Sequence, residues 1–136
     1  MRITCHKGIT SLDQKDYLNT VLKCFNMQNV KEASTPLPSG YNPVPNTLPV
    51  DEKLCTKYQQ VIGSLLCLML GTRPDIAYAV TRMAQFAANP SEEHFTKALY
   101  ICKYLAGMTN YKLQYGLKQQ GLYAYADADW ASDLKS

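Results

Sequence analysis

The chain has 136 residues, 46% of them hydrophobic and 18% charged, enough to bury one sizeable core but short for two independent domains. Its 14 basic and 11 acidic residues leave a formal charge of +3, which permits contact with phosphates but falls short of a dedicated nucleic-acid footprint.

Residues 1–12 alternate loosely around His6-Lys7-Gly8, where glycine can take the positive φ of a tight turn, and predict a short hairpin of residues 1–5 and 9–12. Asp13 is placed to cap the next helix and Asp16 adds negative charge to its first turn. Tyr17, Leu18, Val21, Leu22 and Phe25 then recur at helical spacing, so an amphipathic helix is predicted over 14–27.

Residues 33–50 hold five of the seven prolines (Pro36, Pro38, Pro43, Pro45, Pro49) and Gly40, a composition that blocks helix and sheet and predicts an extended linker draped over the surface. Three helices follow: 54–70 closed by Gly71, 74–88 with a proline in its first turn, and 90–106 closed by Gly107. Asn89 is the expected cap of the last, with Glu92 completing a capping-box-like pair. Their apolar faces run through Tyr58, Ile62, Leu65, Leu66 and Met69, then Ile76, Ala77, Val80, Met83 and Phe86, then Phe95, Leu99, Tyr100, Cys102 and Leu105; short connections imply antiparallel packing.

The period then drops to two over 111–117 and 122–127, around Lys118-Gln119-Gln120-Gly121, and predicts a second hairpin. The expected fold class is α+β: a bundle of about four helices with a short N-terminal hairpin and a C-terminal β-hairpin.

Cys5, Cys24, Cys55, Cys67 and Cys102 are odd in number and never form a C-x-x-C pair, which supports neither a disulfide framework nor a zinc site and predicts buried thiols in a reducing compartment. The N-terminus lacks the apolar run of a secretory signal and residues 61–70 are too few to span a bilayer, so a soluble intracellular chain with no membrane partner is expected. His6 and His94 have no partner at ligand or triad spacing, and Tyr58, Tyr78, Tyr100 and Tyr104 fall on or near apolar helix faces as core or core rim. Arg73 and Asp75 flank Pro74 at a helix start, where the carboxylate meets the positive helix end and can pair with a nearby arginine.

Several stretches in order resemble the reverse transcriptase of copia-type retrotransposons: Gly8-Ile9-Thr10-Ser11-Leu12-Asp13-Gln14-Lys15-Asp16-Tyr17-Leu18, Phe25-Asn26-Met27, Ser34-Thr35-Pro36-Leu37, Ile62-Gly63-Ser64-Leu65, Leu70-Gly71-Thr72-Arg73-Pro74-Asp75-Ile76-Ala77-Tyr78-Ala79-Val80, Asn89-Pro90, Tyr104-Leu105, and Tyr125-Ala126-Asp127-Ala128-Asp129-Trp130-Ala131. By that resemblance, residues 1–32 look like the palm-end hairpin and first helix, 33–50 the linker, 51–110 a thumb or connection-like helical bundle, and 111–136 the first strands of an RNase H-like domain. The chain is then expected to be a part of the parent polyprotein. No Tyr-x-Asp-Asp motif of the family's polymerase site occurs, so polymerisation is not expected.

Asp127 matches the first carboxylate of the RNase H family. Two-metal hydrolysis needs several carboxylates around ions about 3.5–4 Å apart, and the family's other ligands come from strands and helices absent from this sequence. Asp127 is therefore expected to be an orphan metal ligand, no catalytic set is complete, and no cofactor is required; Mg2+ would enter only if another chain completed the site. Asp127, Asp129 and Asp133 otherwise read as solvated strand-end acids.

In a thumb-like bundle Arg73, Arg82, Lys97, Lys103 and Lys112 are the candidate phosphate contacts, set against the plainer reading of solvated helix faces. Ile101-Cys102 and Ala106 stand where the family often carries more basic residues. Two readings stay open: a weak nucleic-acid-binding module for RNA–DNA hybrid or single strands, and an interaction module in which exposed apolar surface drives self-association or binding to another protein.

Overall fold

The computed structural model describes residues 1–116 together with Ala124 and Ala126. β1 (Arg2–His6) and β2 (Ile9–Asp13) form an antiparallel hairpin in which Arg2 pairs with Asp13 and His6 with Ile9. The turn between them places Lys7 at φ 48° and Gly8 at φ 78°, the left-handed pair whose twist matches that of the strands.

α1 (Lys15–Cys24) is shorter at both ends than its apolar spacing predicts. Gln14 occupies the N-cap position without a side-chain bond to the helix it starts, and Asp13 Oδ1 accepts instead from the Lys15 amide at 3.2 Å. Asn26, at φ 55°, ends the helix: its amide donates to the Lys23 carbonyl at 3.2 Å and the Met27 amide to the Leu22 carbonyl at 2.7 Å. This is the left-handed C-terminal motif that asparagine tolerates, and it turns Met27 back into the core.

α2 (Glu52–Gly71) starts two residues before the predicted helix, because Asp51 Oδ1 accepts from the amides of Lys53 (3.0 Å) and Leu54 (3.2 Å). The predicted third helix divides into a 3-10 turn (Pro74–Ile76) and α3 (Ala77–Ala84), after which turns carry the chain through Phe86, Ala87 and Asn89. α4 (Glu92–Gly107) is capped by Ser91, not Asn89, and its capping box is closed by His94, not Glu92. Ser91 Oγ accepts from the His94 amide at 3.2 Å while His94 Nδ1 accepts from the Ser91 amide at 3.1 Å. His94 is buried and stacked on Phe86 at 4.2 Å, so it is not the isolated histidine that its sequence neighbours suggest.

Asn89 is used differently. It and Asn46 clasp each other: Asn46 Nδ2 donates to Asn89 Oδ1 and to the Pro90 carbonyl, both at 3.2 Å, and Asn89 Nδ2 donates to the carbonyls of Asn46 (3.4 Å) and Leu48 (3.0 Å). The linker thereby runs as a strap from the Lys103 end of α4, where the Ala33 amide donates to the Lys103 carbonyl at 3.4 Å, to the end that begins at Pro90.

The core is shared by α2, α3 and α4, with Tyr58, Val61, Leu65, Leu68, Ile76, Val80, Met83, Ala98, Ile101, Cys102 and Leu105 fully buried and Leu18 and Leu22 of α1 packed beside them. The Tyr58 hydroxyl donates to the Met83 carbonyl inside it, and burial raises that phenol well above its ordinary value. Tyr78, expected at the core rim, is 76% exposed. Cys102 is buried and its thiol pushed up to about 12 by burial, but Cys5, Cys24 and Cys67 face solvent, against the expectation of buried thiols; all five are free.

The sheet gains a third strand. β3 (Leu113–Tyr115) pairs antiparallel with β2, Leu113 opposite Leu12 and Tyr115 opposite Thr10, so the strand order is β1-β2-β3. The sequence assigns this segment to a hairpin across 118–121, whose second arm lies outside the described residues. Among the described residues no helix is long and apolar enough to cross a membrane.

Candidate nucleic-acid interface

Arg73, expected among the phosphate contacts, is turned inward and only 2% exposed. Its Nε and Nη2 donate to Asp75 Oδ1 (3.0 Å) and Oδ2 (2.7 Å), and its Nη1 donates to the Met108 carbonyl at 2.9 Å. The rings of Tyr104 and Tyr111 lie over the guanidinium, with centroids 5.9 and 5.3 Å away. Tyr104 completes the cluster by donating its hydroxyl to Asp75 Oδ2 at 2.9 Å. Burial alone would raise the Asp75 carboxyl, but the hydrogen bonds and charge of Arg73, joined by the Tyr104 hydroxyl, outweigh it and hold the group below the usual carboxylate range. For Tyr104, burial and the Asp75 carboxylate both raise the phenol. The ion pair across Pro74 is the one the sequence motif predicts, and it leaves Arg73 working inside the fold.

Three of the other basic candidates, Arg82, Lys97 and Lys103, stand on α3 and α4, the helices that the strap follows. Lys97, Tyr100 and Lys103 succeed one another at every third position of α4, all half-buried, each a neighbour of the next, with the two lysines about 120° apart around the helix. Lys97 Nζ lies 4.9 Å from the Tyr41 ring centroid and 6.0 Å from that of Tyr100. On α3, Arg82 donates Nη1 to Gln85 Oε1 at 3.1 Å and Nη2 to Asn42 Oδ1 at 3.3 Å. The Tyr41 hydroxyl is closed off from solvent, and burial together with the negative charge of Glu93 pushes it up to about 12. Lys112 is exposed just before β3. Tyr41, Asn42 and Tyr100 enter this face unannounced; a lone aromatic residue in a proline-rich linker was the signal for the first.

Asp127, Asp129 and Asp133 lie outside the described residues. Among the described residues no group of three His, Cys, Asp or Glu side chains is arranged to hold a metal ion.

An antiparallel hairpin leads into a helical bundle whose exit returns a strand to the same sheet, and sequence comparison gives the class: retrovirus-related Pol polyproteins. The chain is 39% identical over 135 residues to the Pol polyprotein from transposon TNT 1-94 of Nicotiana tabacum, 41% identical over 130 residues to that from transposon RE1 of Arabidopsis thaliana, and 36% identical over 127 residues to that from transposon RE2 of the same plant. Each match takes in 90% of this chain but only 8–10% of the polyprotein. The chain is thus homologous to one short segment of copia-type retrotransposon Pol polyproteins. No family model and no solved structure matches it.

Proposed function

We propose that these residues are a non-catalytic gripping element of a retroelement Pol protein, holding an RNA–DNA hybrid against the outer side of α3 and α4 while chemistry is done elsewhere. In this reading residues 1–32 end a palm, 51–110 act as a thumb, and 111–136 open an RNase H-like unit. The observation that supports it is the pair Lys97 and Lys103 with Arg82 on neighbouring α3: the two lysines stand about 9 Å apart along α4, six residues of 1.5 Å rise each, with the Tyr100 ring between them in sequence for a sugar or base to rest on. Lys112 is positioned as an outlying contact, and Arg73 holds the exit of α4 in place.

Fluorescence anisotropy of a labelled RNA–DNA hybrid tests this. Binding should weaken with salt, and Lys97→Ala with Lys103→Ala should lower the slope of log K against log salt by about 2, near one per lost phosphate contact. No binding by the unaltered chain at low salt sinks the proposal.

A second reading, a protein interaction module, draws on one observation: Val44 and Leu48 of the strap, Leu70 at the end of α2, and Tyr78 on α3 are 70–78% exposed. Concentration-dependent sedimentation would support it, and a monomer throughout would remove self-association from it.

A further inference from the structure

Residues 33–50 carry no charged side chain, yet they run over the helix faces where three basic residues stand. The Ala33 amide bonds to the Lys103 carbonyl, the Tyr41 ring lies under the Lys97 ammonium, and the Asn42 carboxamide accepts from Arg82. The strap is fastened at its far end by the clasp of Asn46 and Asn89. We propose that this neutral strap is an internal cover of the basic face, occupying the side chains of Arg82 and Lys97 until a nucleic-acid backbone displaces its middle; the idea rests on the gripping role proposed above.

The chemistry favours exchange over permanent closure. An aromatic face and an uncharged amide offer an ammonium and a guanidinium no opposite charge, whereas a phosphate adds an ion pair to the hydrogen bond and can meet the guanidinium at two points. The middle of the strap is also poorly anchored: Val44 is 71% exposed, and Pro43 is its buried point between Tyr41 and the Asn46 clasp. Prolines keep the released segment extended, so it can swing aside without collapsing into the site it left.

The test is the full chain with Asn46→Ala and Asn89→Ala, which open the clasp and leave every basic residue intact. Chymotrypsin should cut the variant faster than the unaltered chain after Tyr41. A strap closed nine-tenths of the time predicts an apparent Kd for an RNA–DNA hybrid lowered about tenfold on release. A strap shown by proteolysis to be free, with unchanged or weaker hybrid affinity, overturns the cover and leaves the gripping role standing. Absence of binding by both chains at low salt overturns both. Should the variant not fold, limited chymotrypsin digestion of the unaltered chain decides: cleavage after Tyr41 should quicken when saturating hybrid is added, and an unchanged or slower rate overturns the proposal.

Discussion

Arg73 and Asp75, separated only by Pro74, meet in a two-point ion pair whose arginine side chain is 3% exposed and whose aspartate side chain is 29% exposed. Arg73→Ala removes that pair, the bond to the Met108 carbonyl and the two ring contacts together, leaving a half-buried carboxylate and an unanswered carbonyl. Urea unfolding should show a loss of about 3 kcal/mol or more. A loss under about 1 kcal/mol would mean that the cluster is dispensable.

The same pair sets an acid limit. Because the Asp75 carboxyl is held below its unfolded value, its stabilisation is complete above the unfolded pKa and is lost as pH falls through the folded one. The urea midpoint should therefore fall from about pH 4 downward, and Asp75→Asn, which removes the titrating group, should flatten that part of the profile while lowering stability at neutral pH.

At the start of α4, Ser91 and His94 each satisfy the other's backbone amide. Ser91→Ala should cost about 1 kcal/mol in thermal or urea unfolding, whereas Ser91→Asp, which keeps an oxygen acceptor, should cost a few tenths. Equal losses from the two would show that the cap is not what holds the helix entry.

Gly71 sits where an added methyl would fall 2.2–2.7 Å from the Gln14 carboxamide. That carboxamide accepts from Thr72 Oγ1 at 3.0 Å and donates to the Cys67 carbonyl at 3.3 Å, tying the start of α1 to the end of α2. Gly71→Ala should destabilise by about 1–2 kcal/mol, through the bonds Gln14 must give up. In a Gln14→Ala background the same change should be neutral or stabilising by up to about 1 kcal/mol, since alanine is the better helix residue. A double-mutant cycle reads the difference, and additivity would refute the link.

The hairpin, the four helices and the linker were legible because each is written in local pattern: Gly8 in its turn, prolines at the right places, apolar residues at helical spacing. Helix ends were less so. Asp51 and Ser91 cap where Leu54 and Asn89 were the expected boundaries, since several polar residues compete at each end and the packing of Asn89 against Asn46 decides between them. The pairing of β3 with β2 was not legible, because alternation shows that a strand exists and not which distant edge it meets. For the site, spacing placed Lys97 and Lys103 on one helix, but it could not show that Arg73 would be consumed by Asp75, Met108 and two tyrosines. The family resemblance came from short motifs, and these report ancestry more directly than contact.

The β2–β3 ladder joins Thr10 to Tyr115, near opposite ends of the described chain. A contact of that span cannot form early: the contacts among α2, α3 and α4 are closer in sequence and shorten the gap before the strands can meet. The β2–β3 pairing is therefore the last part of the sheet to close. On a ribosome the N-terminal hairpin waits with one edge of β2 open until residues 113–115 emerge, and during that interval the nascent chain is most exposed to pairing with a strand from another molecule.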